Sequence, residues 1–210
     1  MLLLSTCRCK ISTSMPHRAY HHGNLREALL QGAVRVIAEL GPAAFTLREV
    51  ARRAGVSHNA PYRHFRDKDA LLAAVAAQGF RELTRAMREA GKCQSRALEK
   101  LKHSGLAYVN FAIRRPEHFT VMFDAPVRGS KDPEYVQASR EAFDTLVTYI
   151  KKSQEAGQLP AGKTLDRAFY AWSLVHGIAK LAVSGRFPFR AKTKILSFAK
   201  FAIGESVPGA

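Results

Sequence analysis

The tightest constraint on this chain lies between Thr46 and Lys68, where helix start and stop signals alternate within about two dozen residues. Thr46 and Glu49 stand at the spacing of a capping box, in which a hydroxyl accepts from the first turn and a carboxylate reaches back. Leu47, Val50, Ala51 and Ala54 then form one apolar stripe, and Gly55 supplies the left-handed stop. Ser57 follows almost at once as the N-cap of another short helix, with Tyr62 and Phe65 as its bulky positions. Two short helices joined through a glycine-containing turn are a helix-turn-helix.

The flanking sequence extends the same grammar. Asn24 and Glu27 form a second capping box ahead of Leu25, Ala28, Leu29, Ala33, Val36, Ile37 and Leu40, with Gly41–Pro42 as the stop. Asp67 caps a long helix carrying Leu71, Leu72, Val75, Phe80 and Leu83. Helical patterns continue over 94–114, 116–124, 132–157, 164–184 and 191–203, and nothing alternates as a strand would. The expected fold is all-α, with about nine helices. Residues 1–22 form a polar arm without periodicity, 23–70 a three-helix head, and 71–210 a helical body. Met1 and Met15 both stand as starts.

Charge then narrows the partner. With 33 Lys and Arg against 17 Asp and Glu the chain carries +16, which points to a polyanion. Residues 1–70 hold 11 basic and 5 acidic side chains and 71–210 hold 22 and 12, so charge alone does not say which part touches it. No apolar run approaches the roughly eighteen residues of a membrane helix, and the opening MLLLSTCRCK is too short in its apolar part for a signal peptide. Three sparse cysteines argue against a disulfide-stapled secreted scaffold, so a cytoplasmic protein is expected.

A helix-turn-helix places its second helix in the major groove while the first braces it across the backbone. A helix launched by Ser57 would aim its positive end and open amides at phosphate. The side chains able to leave it toward duplex DNA are His58, Asn59, Tyr62, Arg63 and His64; Asn59 suits adenine and Arg63 guanine. Thr46, Arg48 and Lys68 flank the helix as phosphate contacts, which position but do not specify. Tyr62 packed on the first helix and His64 at the edge of the core are the competing structural roles.

The stretch TLREVARRAGVSHNAPYRHFRDKDALLAAV resembles the DNA-binding segment of the TetR/AcrR family of bacterial transcriptional regulators. Tyr62, His64, Phe65 and Lys68 carry that resemblance, and Pro61, where leucine is more usual, departs from it. The resemblance implies an all-α homodimer on a palindromic operator. It makes Tyr62 and Lys68 phosphate contacts, His58 and Asn59 base-edge readers and Phe65 a core anchor. It also implies repression relieved by a small-molecule effector.

In the body, Tyr108, Phe111, Phe119, Met122 and Phe123 cluster around Pro116, with His118 as a polar handle. Trp172 and His176 fall one turn apart, and Trp-x-x-x-His-Gly, ending at Gly177, resembles the C-terminal body of one TetR subgroup. These eight side chains are the expected lining of a site for an apolar or aromatic effector. The last two helices carry more apolar surface than one packing face needs, and Phe169, Val175, Ile178, Ile195 and Phe198 are the expected dimer contacts.

No nucleophile–base pair, glycine-rich phosphate loop or His-x-x-x-His pair occurs, so neither catalysis nor a cofactor nor a metal is expected. Two alternatives stay open: a sequence-nonspecific DNA-coating protein, and a metal-responsive regulator using Cys7, Cys9, His17, His21 and His22.

Overall fold

The structure is a computed structural model that describes residues 25–41, 44–124, 127 and 130–206. The arm 1–22, the cap expected at Asn24 and the Cys7, Cys9, His17, His21 and His22 set lie outside those residues. The described residues form eight α-helices and no strand: α1 Leu25–Leu40, α2 Leu47–Ala54, α3 Lys68–Lys92, α4 Ala97–Arg114, α5 Pro116–Asp124, α6 Pro133–Glu155, α7 Thr164–Val183 and α8 Lys192–Glu205.

The ninth expected helix is missing, and the reason is Pro61. Between α2 and α3 the chain forms a 3-10 turn, Pro61–Arg63, instead of an α-helix from Ser57. An α-helix there would need the residue-61 amide to donate to the Ser57 carbonyl. Proline has no such amide, and its ring crowds that carbonyl. The Ser57 carbonyl accepts from the Ala60 amide at 2.9 Å, and the His64 amide bonds Pro61 at 3.0 Å. Ser57 therefore caps nothing; the cap position falls on Ala60, with no side-chain bond. The helix-end phosphate site expected at Ser57 disappears with the helix.

The remaining starts and stops follow local chemistry. Thr46 Oγ1 accepts from the Glu49 amide at 3.2 Å, Asp67 accepts from Ala70 at 2.8 Å, and Asp132 accepts from Tyr135 at 3.0 Å with Pro133 behind it. Gly55 ends α2 at φ 68°, where Val56 donates to Ala51 at 3.0 Å and Gly55 to Arg52 at 3.2 Å, the paired bonds of a Schellman stop.

α3 is the spine. Its 25 residues run about 37 Å, and Leu71 to Ala77 are buried on every face because α1, α4, α5 and α6 surround them. Its first turn belongs to the head and its remainder to the body, so a boundary at 70/71 cuts one continuous helix. Glu134 at the start of α6 reaches Arg26 of α1 at 3.4 Å and Arg81 of α3 at 3.2 Å, tying head to body at the surface. α5 lies across α3 at Gly79, where an added Cβ would stand 2.6 Å from the Met122 sulfur.

Candidate DNA interface and effector cavity

The head presents its candidate contacts from a rigid base. Phe65 is buried with the Arg26 guanidinium 5.6 Å above its ring, and Pro61 and Ala60 are buried beside it. Between these anchors the turn leaves Ser57, His58, Asn59, Tyr62, Arg63 and His64 exposed, with Thr46 and Arg48 exposed on the neighbouring α2 edge. Tyr62 is 55% exposed, so it does not pack on α1. Lys68 is half-buried at the start of α3, its ammonium 5.8 Å from the Phe45 ring centre.

Arg52 and Arg53 are engaged elsewhere. Arg52 donates to Glu49 at 2.6 Å and Arg53 at 2.9 Å, and Arg53 also pairs with Glu39. The Arg52 hydrogen bond leads in holding the Glu49 carboxyl down at about 2. Glu49 thus spends its carboxylate on two arginines, and only the Thr46 half of the capping box forms.

The body encloses a cavity of about 500 Å³ between α3, α4, α5, α6, α7 and the end of α8. Of the eight expected lining residues, Tyr108, Met122, Phe123 and Trp172 reach it. The other four do not. Phe111 and Phe119 are buried in the core, and His176 stands behind the wall. His118 is buried with neither ring nitrogen hydrogen-bonded. Burial pushes its pKa below the ordinary 6.5, Glu82 and Glu117 pull it up, and Arg115 pushes it down.

His176 still shapes the wall through Tyr108. The Tyr108 hydroxyl lies 2.8 Å from His176 Nδ1 and 3.3 Å from Trp172 Nε1. The indole can only donate, so the phenol oxygen accepts from it, and the same hydroxyl shares a second hydrogen bond with Nδ1. Burial raises the Tyr108 pKa well above its ordinary value, which keeps the phenol neutral. Phe119 and Phe123 pack on the His176 ring at 5.4 and 4.6 Å between centroids.

Residues 29–75 match the family description "Bacterial regulatory proteins, tetR family", and residues 101–202 match "Tetracyclin repressor-like, C-terminal domain". The chain belongs to the TetR family. It is a DNA-binding transcriptional regulator. An HTH-type transcriptional regulator of Mycobacterium tuberculosis is 25% identical over 164 residues, 76% of this chain and 71% of that protein. An HTH-type transcriptional repressor of the same organism is 45% identical over 58 residues, 28% of this chain and 31% of its own length. A solved protein of unknown function from Rhodococcus sp. RHA1 is 33% identical, with a TM-score of 0.76 over 91% of this chain and all of that one.

This TetR-family body draws much of its cavity from side chains that the sequence marks only as core. Phe80, Leu83 and Met87 come from α3, and Tyr135, Phe143 and Leu146 from α6. Each sits on the apolar stripe of its helix, and only the packing turns that stripe toward an open space. The expected dimer residues also divide. Val175, Ile178 and Ile195 are buried inside the protomer, and Val175 lines the cavity, so they cannot form a surface contact. Phe169 and Phe198 are exposed, Phe169 at the cavity wall and Phe198 edge-on to Phe187. The outward faces of α7 and α8 carry Tyr170, Leu181 and Phe201, the last 63% exposed. Gly177 is exposed too, and a Cβ there would touch nothing.

Proposed function

We propose that this protein is a homodimeric repressor that reads a palindromic operator in double-stranded DNA and releases it when an apolar or aromatic molecule enters the body cavity. One observation carries the reading: α3 runs unbroken from the DNA-facing head into the cavity wall, where it supplies Phe80, Leu83 and Met87. A ligand that favours one setting of α3 also favours one setting of the head, and it shifts the balance only by its difference in affinity for the two.

In this reading the head, 23–70, contacts DNA through His58, Asn59, Arg63 and His64 at base edges. Thr46, Arg48, Tyr62 and Lys68 contact phosphates. The body, 71–210, takes effector and partner, and the dimer closes through the open α7 and α8 faces around Tyr170, Gly177, Leu181, Phe198 and Phe201. The protein acts in the cytoplasm on the chromosome and binds without catalysing. Basicity supports the polyanion, and the exposed turn supports sequence reading over simple coating.

Selection of bound fragments from genomic DNA tests the whole reading. An inverted repeat is expected; affinity indifferent to sequence would establish a coating protein instead. Arg63→Ala is expected to relax preference at one position by about 1–3 kcal/mol, while Lys68→Ala weakens all sequences alike.

A further inference from the structure

We infer that the cavity is shaped for an elongated apolar molecule that ends in a single carboxylate, held by Lys102. The inference deepens the effector reading above by naming the ligand's chemical class.

Among the described residues that line the cavity, Lys102 is the only charged one and no carboxylate is present. Most of the wall hydroxyls spend their protons on the protein itself. Ser104 donates to Leu101 at 2.7 Å, Ser139 to Val136 at 3.1 Å and Ser206 to Ile203 at 2.8 Å. The Tyr108 hydroxyl is bonded to His176 and accepts from Trp172. The remaining wall hydroxyl belongs to Tyr135, whose ring packs beside Phe80 at 6.0 Å between centroids.

Lys102 is different in kind. Its ammonium carries three donors, Glu99 at 3.2 Å engages one, and the side chain is only 18% exposed. A cation so little hydrated in an apolar wall gains from a second anionic acceptor, through hydrogen bonds about twice as strong as neutral ones. No carboxylate lines the cavity to receive an ammonium ligand, since Glu99 stands outside the lining and is already paired with Lys102.

Placement sets the ligand's shape. Lys102 lines the cavity together with Leu101, Ile203 and Ser206, and Tyr108 lies six residues on, about 9 Å along α4. Lining rings then run in contact from Tyr108 to Phe123 at 6.5 Å between centroids, from Phe123 to Phe80 at 5.5 Å and from Phe80 to Tyr135 at 6.0 Å. A charged head at Lys102 therefore leaves a tail running along apolar and aromatic walls toward α5.

Trp172 is the sole tryptophan and lines the cavity, so its fluorescence reports occupancy. The full chain is titrated at pH 7.5 with dodecanoate, 1-dodecanol and dodecylammonium, all below micelle-forming concentrations. Dodecanoate is expected to bind about ten- to hundredfold tighter than dodecanol, as a charged hydrogen bond gives, with dodecylammonium weakest. Lys102→Met should bring dodecanoate down to the dodecanol level and Lys102→Arg should keep the preference, both with unchanged helical melting. Equal affinity for the three, a preference that survives Lys102→Met, or no Trp172 response to any of them would overturn the inference.

Operator binding is measured separately. Dodecanoate that binds through Lys102 without loosening DNA upholds the ligand class and refutes the effector role. Dodecanol that releases DNA, with no Lys102-dependent preference for the acid, does the reverse.

Discussion

Removing one oxygen tests the polar trio that Tyr108 and Trp172, in the cavity wall, form with His176 behind it. Tyr108→Phe keeps the ring, its edge contact with Phe119 at 6.0 Å between centroids and its burial, and deletes only the hydroxyl. Two bonds go with it: the short one to His176 and the longer one from Trp172. A typical net hydrogen bond is worth about 1 kcal/mol, and a buried group left unpaired loses more. Trp172 and His176 are both half-buried, and water can replace part of what they lose. The expected cost is therefore about 1–2 kcal/mol, a fall in Tm of about 2–8 °C for a domain of this size. Thermal melting at fixed protein concentration measures it, since the proposed dimerisation would make Tm depend on concentration. In the His176→Leu background the same substitution should cost less, with a coupling of about 0.5–3 kcal/mol. A Tm change below about 1 °C, or full additivity with His176→Leu, would refute the claim that this hydroxyl joins the three residues.

The other predictions concern the head, the buried histidine and the dimer face. Phe65→Ala should destabilise the protein by about 3–5 kcal/mol, seen in urea melts, because the buried ring anchors the exposed turn over 57–64 beneath Arg26. His118 is neutral when folded and has a folded pKa below its ordinary 6.5, so the unfolded chain binds the extra proton first. Its contribution is thus fully present above about pH 6.5 and declines as pH falls through that value toward the folded pKa. His118→Phe should flatten the stability profile between pH 7 and pH 5, and an unchanged slope would contradict the assignment. Phe201→Glu with Leu181→Lys should yield monomer at micromolar concentration by sedimentation, with helical content retained; a dimer that persists would place the interface elsewhere.

Most of the helical grammar was legible because capping and stopping are decided within about four residues. Thr46, Gly55, Asp67 and Asp132 act on amides and carbonyls of their own turn, so element order and most boundaries followed from the chain alone. The loss of the helix at Ser57 also has a local cause, Pro61, whose cost to an α-helix starting four residues earlier outweighed the capping signal. Where α4 begins was beyond local reading. Its cap residue Arg96 makes no side-chain bond, and the Leu98 amide donates instead to Gln158, sixty residues away, at 2.8 Å.

The same division holds for the sites. Amino-acid order alone marked His58, Asn59, Tyr62, Arg63 and His64 as side chains able to face outward, while suggesting a helix where the chain forms a 3-10 turn. Tertiary packing decided which side chains line the cavity and which of the last helices' apolar residues stay outside. An apolar stripe specifies that a helix face is buried without specifying against what. Phe119 and Phe123 lie four residues apart on one helix, yet only Phe123 lines the cavity while Phe119 packs into the core. That choice depends on where α3, α6 and α7 cross, which no short stretch of chain encodes.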